Sequence, residues 1–281
     1  MDSRWSTRLV ALAFAAALVA AGCGGDDEAE IPQSGARETT TTTAAEAAAE
    51  PLQVLVTNDD GIGAEGIDVL VAALTAVEGV EVTVVAPADQ QSVTGGQATE
   101  GPLTTVPAQT AGGHEATAVE GFPADTIRVA FDDMGLQPDL VIAGINEGQN
   151  LGGIVEVSGT VGAARAAASR GVPALAVSQG TAATLDYPSA AELVVTWLAE
   201  NRAAIAAGEF STDSVVNVNV PSCDTGDLRG SLEVETDVAT TEGAVGVPSD
   251  CTSTGEGYTE DIDAFLNGYA TFAEVTVEPM A

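Results

Sequence analysis

Apolar residues along this chain fall into two alternating rhythms, and the alternation predicts the fold. Residues 53–57 form an apolar run of strand length. After Gly66, Ile67, Leu70, Val71 and Leu74 share one helical face. Residues 80–85 are a second strand run, closed by Ala86-Pro87, and a loop rich in Gly, Ser and Thr follows over 88–101. Residues 115–119 read as a short strand and 124–134 as a helix, with Ile127 and Phe131 spaced to share a face. The run 139–144 is a buried strand flanked by Pro138 and Gly144. An Ala-rich helix over 159–170, a strand over 174–178 and a long helix over 187–205 follow. Residues 215–220 alternate Val and Asn, which suits a strand with one polar face. Beyond Gly230 the pattern is less regular, with a helix expected near 260–266 and a strand near 271–277. Strand and helix in turn predict a three-layer α/β/α Rossmann-like fold, with a mostly parallel sheet and a smaller irregular C-terminal extension.

In such a sheet, ligands bind beyond the carboxyl ends of the strands. Three loops at that edge carry oxygen-bearing side chains. The first holds Asn58, Asp59 and Asp60, the second Ser92, and the third Asn146. Adjacent carboxylates repel and resist burial unless a cation neutralises them. Carboxylate, hydroxyl and amide oxygens together suit a hard divalent ion, Mg²⁺ or Mn²⁺. Taken singly, each has a plainer reading, because Asn-Asp-Asp-Gly is also good turn chemistry. Ser158-Gly159-Thr160 opens the Ala-rich helix. It reads either as an ordinary helix cap or as an anion site of exposed N–H groups.

Charge and composition narrow the partners. The 281 residues carry a formal charge of −34, with 42 acidic residues against 8 arginines and no lysine. Such a surface repels a phosphate backbone, which argues against polymeric nucleic acid as a partner. It suits a high-salt medium, where carboxylates are screened, and composition bias is the competing explanation. Arg4 and Arg8 precede an apolar stretch over 9–21 that is short for a membrane span. Val19-Ala20-Ala21-Gly22-Cys23 resembles the lipobox of bacterial lipoproteins. That resemblance implies a signal peptide over 1–22, lipidation of Cys23 and anchoring at the cell envelope, outside the cytoplasm. Residues 23–50 lack apolar periodicity and read as a disordered tether. Two cysteines remain, Cys223 and Cys251, and export favours a disulfide between them. The single histidine, His114, sits in a Gly-rich turn and reads as a loop residue.

The ordered motifs resemble the SurE family of metal-dependent nucleotidases and phosphatases. Val54-Leu55-Val56-Thr57-Asn58-Asp59-Asp60-Gly61-Ile62 is similar to its opening motif, and Val84-Val85-Ala86-Pro87 with Ser92 to its second. Gly121-Phe122-Pro123-Ala124-Asp125, the run from Pro138 to Gly152, and Ser158-Gly159-Thr160-Val161-Gly162-Ala163-Ala164 follow in order. Asn217-Val218-Asn219-Val220-Pro221 and Asn267-Gly268-Tyr269 resemble late landmarks, so the likeness covers residues 51–281. The resemblance implies a metal held by Asp59, Asp60, Ser92 and Asn146, with Asp59 and Asp60 catalytic. It implies phosphate held at Ser158, Gly159 and Thr160, with Asn58 and Asn150 as supporting contacts. The implied reaction hydrolyses nucleoside monophosphates. The chain departs from the family pattern at Gly153 and Ile154, where acidic residues are common, and at Val157, commonly tyrosine; Glu147 adds a charge beside Asn146. The segment 233–258 is short for the hairpin that family members exchange between subunits, which leaves a homodimer open. The competing functional reading is a lipoprotein that binds nucleotide or phosphate without turnover.

Overall fold

The computed structural model describes residues 50–277. The expected signal peptide, the Cys23 lipidation site and all of the expected tether but Glu50 therefore lie outside the described residues. The strands are β1 (Leu52–Thr57), β2 (Val80–Pro87), β3 (Thr105–Gln109), β4 (Glu115–Val119), β5 (Leu140–Glu147), β6 (Ala174–Gln179), β7 (Ser214–Val220), β8 (Ser231–Val234) and β9 (Ala270–Thr276). The helices are α1 (Glu65–Thr75), α2 (Pro123–Arg128), α3 (Gly159–Ala168), α4 (Tyr187–Ala206) and α5 (Asp261–Leu266). One sheet orders the strands β3-β4-β2-β1-β5-β6-β7-β9-β8. From β4 to β7 every neighbouring pair is parallel, while β3 pairs antiparallel with β4 and β9 with β7.

Alternation along β1 explains the layers. Leu52, Val54 and Val56 pack with Ile67, Leu70, Val71 and Leu74 of α1 and Val194 and Leu198 of α4. Leu55 points to the other face, into a core built with Ile127 of α2 and the alanines of α3. Each large aliphatic side chain buried this way contributes roughly 1.5–3 kcal/mol. Helix α3 is buried at every position but Arg165, so its small residues are what fits between sheet and α2. The two cores on opposite sheet faces give the expected α/β/α arrangement.

The apolar pattern does not predict β3 or β8. Strand β3 is exposed along most of its length and contains Pro107, which an edge strand tolerates because its outward face needs no N–H donor. Strand β8 alternates exposed and half-buried residues over only four positions. His114 closes the β3–β4 turn, its carbonyl accepting the Thr110 N–H at 3.0 Å. The C-terminal tail is also less separate than its sequence suggests, because β8 and β9 complete the sheet. Its irregular part folds over the loop after β5. The Gly153 N–H donates to the Thr240 carbonyl (2.8 Å), and the Gly152 N–H to Asp261 Oδ2 (2.8 Å). Leu151, Ala244, Ile262 and Phe265 form a third, small core there. A Cβ on Gly153 would stand 2.9 Å from the Val238 carbonyl oxygen, so a side chain at this position conflicts with the overlying segment. Cys223, just past β7, and Cys251 are joined as a disulfide with Cα atoms 5.8 Å apart.

Candidate active site

Strand β1 delivers Asn58, Asp59 and Asp60 to the carboxyl edge of the sheet, where the loops after β2, β5 and β6 also emerge. Gly61 follows at φ +95°, a left-handed conformation that glycine adopts without strain, and turns the chain toward α1. Asp59 is buried, and Thr160 of α3 donates to its Oδ1 at 2.6 Å. Helix α3 starts so close that a Cβ on Gly159 would lie 2.8 Å from Asp59 Oδ2. Asp60 is half-buried, and its Oδ2 accepts the Glu147 N–H at 2.9 Å. Burial pushes the Asp59 carboxyl above the ordinary carboxylate range, with hydrogen bonds from Thr160 and the backbone opposing it. Asp60 is pushed up to about 6, first by burial and then by the charge of Asp59, with Glu147 adding to the repulsion.

Strand β5 brings the third loop. Its register against β6 shifts between Ala143 and Asn146, an irregularity that re-aims the strand end. Asn146 donates through Nδ2 to the Gly148 carbonyl at 2.5 Å, which leaves its Oδ1 as a free acceptor. The second loop is tied to the first, because the Gln91 N–H donates to the Asp59 carbonyl at 2.6 Å. Ser92 comes next in that loop, exposed, with Oγ accepting from Gln90 Nε2 at 2.5 Å. All three loops therefore meet at one edge. A cleft of about 390 Å³ opens beside them, lined by Asp60, Glu65, Gln90, Glu147, Leu185 and Tyr187. A larger groove of about 810 Å³ lies between β2 and the β3–β4 hairpin, away from these carboxylates.

The donor set suits a hard divalent cation. Its atoms are all oxygens, and Asp60 and Asn146 each keep one oxygen without a hydrogen bond. Among the described residues, no arginine pairs with Asp59 or Asp60; the ion pairs are Arg128–Asp125, Arg165–Glu156 and Arg170–Asp132. Asn58 Oδ1 is buried without a partner beside them.

The side chains expected to touch phosphate also hold the site together. Ser158 Oγ accepts the Val161 N–H at 3.1 Å, an ordinary N-cap. The Thr160 hydroxyl is committed to Asp59. Asn58 Nδ2 donates to the Gly61 carbonyl (2.9 Å), and Asn150 Nδ2 to Ser178 Oγ (2.9 Å). The Thr160 hydroxyl has no second hydrogen to give, but the Ser158 hydroxyl and Asn58 Nδ2 each keep one, and Gly159 and the backbone N–H groups of the first turn add further donors for an anion.

Other functional side chains carry weaker sequence signals. Buried Asp125 accepts the Thr99 and Phe122 N–H groups (3.0 Å each) and so fastens the 88–101 loop to α2. Buried Asp261 accepts from the backbone of Gly152, Asp237 and Ile262. Tyr187, whose Pro188 marks a helix start, is buried against the cleft. Burial and the nearby Glu147, Asp60 and Glu65 charges push its phenol upward.

Comparison with known proteins identifies the family. A family model described as survival protein SurE matches residues 54–242. A 5'-nucleotidase SurE of Halobacterium salinarum (strain ATCC 29341 / DSM 671 / R1) is 43% identical over 199 residues, covering 66% of this chain and 71% of that protein. A 5'-nucleotidase SurE of Synechococcus sp. (strain JA-3-3Ab) is 38% identical over 185 residues, covering 64% and 70%. The crystal structure of a SurE protein from Aquifex aeolicus aligns with a TM-score of 0.64 at 25% identity, covering 81% of this chain and 94% of that one. With the family model matching residues 54–242 and these relatives aligned over about two thirds of it, the chain belongs to the SurE family.

Proposed function

We propose that this protein is a divalent-metal-dependent nucleotidase that hydrolyses nucleoside monophosphates to nucleoside and phosphate, anchored by lipid at the cell envelope. The observation that carries the metal reading is the Asp59-Asp60 pair, brought together at the sheet edge with no arginine among the described residues to neutralise it. The relatives' names support the substrate class. The lipobox-like Cys23 motif supports the location. Asp59, Asp60, Ser92 and Asn146 would hold the ion. When bound, Mg²⁺ or Mn²⁺ offsets the charge of the phosphoryl oxygens and acidifies a water.

The chain's own groups supply position and charge. Thr160 orients Asp59, and the Glu147 N–H orients Asp60. The Gly159 and Thr160 N–H groups at the start of α3 offer donors to phosphate oxygens, aided by the helix dipole. In the reaction a water oxygen bonds to phosphorus as the ester P–O bond breaks. The electron pair leaves on the nucleoside oxygen, which takes up a proton as the attacking water gives one up. The cleft walled by Leu185 and Tyr187 would take the leaving nucleoside.

Phosphate release from a panel of nucleoside 5'- and 3'-monophosphates tests the reading, with Mn²⁺ or Mg²⁺ and with chelator. Release that chelation stops supports it. A folded protein that binds nucleotide yet releases no phosphate under any of these conditions would make it a binding protein instead.

A further inference from the structure

Strand β7 carries two buried asparagines, Asn217 and Asn219, neither exposed at all. An amide inside a sheet is unfavourable unless its donors and acceptors are matched. Both bond to one residue: Asn219 is matched through its donor and its acceptor, and Asn217 through its donor, its Oδ1 having no partner among the described residues. Asn217 Nδ2 and Asn219 Nδ2 donate to the Asn150 carbonyl at 2.8 and 3.1 Å, and Asn219 Oδ1 accepts the Asn150 N–H at 2.7 Å. The backbone of Asn150 is thus gripped on both sides by a strand that lies two places from β5 in the sheet.

Asn150 passes this on. Its Nδ2 donates to Ser178 Oγ of β6 at 2.9 Å and reaches Thr160 Oγ1 at 3.5 Å. A hydroxyl has one hydrogen to give. With an amide donor on one side, Thr160 directs its hydrogen the other way, to Asp59 Oδ1 at 2.6 Å. A polar chain therefore runs from β7 through the loop after β5 and the start of α3 to Asp59. The same grip fixes the far end of the loop that begins at Asn146.

We propose that Asn217 and Asn219 are positioning residues for the carboxylate site, acting through Asn150, Ser178 and Thr160. The inference rests on the metal-site reading above, since what is positioned is the Asp59 and Asn146 oxygens. Outer partners of metal ligands commonly change affinity by roughly 10–100-fold when removed.

The test is a Mn²⁺ titration of the purified full-length protein, following free ion by electron paramagnetic resonance, alongside kcat and KM for AMP. The variants are Asn217→Ala, Asn219→Ala and Ser178→Ala, with Val218→Ala as a control. Val218 lies on the opposite face of the same strand, in the apolar core, and its truncation loosens β7 without touching the polar chain. We expect Asn217→Ala, Asn219→Ala and Ser178→Ala to bind Mn²⁺ about tenfold or more weakly. Their kcat falls while KM for AMP moves little. Val218→Ala lowers Tm and keeps wild-type Mn²⁺ affinity. Wild-type affinity in all three variants of the polar chain, or an equal loss in Val218→Ala, overturns the inference and leaves the proposed function standing, and wild-type affinity in Asn217→Ala alone removes Asn217 from it. Ser178→Ala removes only a hydroxyl and decides the question if the asparagine variants do not fold. A wild-type protein that takes up no Mn²⁺ brings down the metal reading, and the positioning role with it.

Discussion

At the scale of single residues, the site is a compromise between burial and charge. Asp59 and Asp60 are held where their charges are unfavourable without a cation, so changing them should separate function from stability. Asp59→Asn keeps an Oδ1 acceptor for Thr160 while removing one of the two repelling charges. Hydrolysis should fall at least about 100-fold, and the chelated protein should melt no lower than wild type. Full activity in a well-folded Asp59→Asn protein would remove Asp59 from the metal site. Asp60 sets a pH dependence in the chelated protein. Its carboxyl titrates near 6 when folded and near 3.8 otherwise, a raised value. A raised folded value means the group's favourable contribution is complete below about pH 4 and is lost as pH rises through about 6. The loss should be on the order of 2 kcal/mol. Asp60→Asn should flatten that part of the Tm profile with chelator present; an unchanged slope would show that Asp60 is not desolvated. Asp59, Asp60 and Asn146 are legible in sequence because polar residues stand out at the ends of apolar strands. Asp261 is not, and Asp125 stands out only through the Gly121–Asp125 resemblance, because an acid in a first helical turn is ordinarily a surface residue. Here each is buried by backbone N–H groups from distant segments, a match that periodicity does not encode.

At the scale of elements, what places the site is how closely backbones approach. Gly66 in the first turn of α1 lies against β5, and a Cβ there would stand 1.9 Å from the Ile145 carbonyl oxygen. Glycine to alanine inside a helix normally stabilises by up to about 1 kcal/mol. At Gly66 the overlap reverses the sign, and we expect a loss of roughly 2–4 kcal/mol. Activity should fall with it, since Ile145 directly precedes Asn146. Gly63, whose Cβ would meet nothing within 4 Å, is the matched control and should tolerate alanine within about 0.5 kcal/mol. Urea melts of the two variants check this, and equal stabilities would show that α1 can shift freely. The central strands and longer helices are legible because each buries a periodic apolar face. Strands β3 and β8 lie at the two sheet edges, where exposure and Pro107 erase the period, and their pairing is set by neighbours rather than by their own residues. The segment after β8 is irregular for a related reason. It is held by carbonyls and by Asp261 against Gly152 and Gly153, and backbone bonds leave little mark on side-chain pattern.

At the scale of the whole molecule, charge is the dominant unresolved force. The chain carries −34 with no lysine, and its described arginines do little to offset that. Arg128, Arg165 and Arg170 each pair with a carboxylate, while Arg202 bonds the Glu78 and Gly79 carbonyls and Arg229 those of Asn267 and Gly255. Most carboxylates are therefore without a cationic partner, and compaction brings them together. Screening shortens from about 10 Å at 0.1 M salt to about 3 Å at 1 M. Raising NaCl from 0.05 to 1 M, with chelator present so that metal binding does not contribute, should raise Tm by roughly 5–10 °C. A domain of this size gains about 2–4 °C per kcal/mol, so that rise corresponds to relief of a few kcal/mol of repulsion. The same screening should lower KM for an anionic nucleotide, because the field that destabilises the fold also repels the substrate. Sucrose, which strengthens burial without screening charge, separates the two effects: it should raise Tm and leave KM unchanged. A Tm that stays flat across the NaCl series would mean that the carboxylates are spaced too widely to repel. The acidity would then have no bearing on the stability of the folded state.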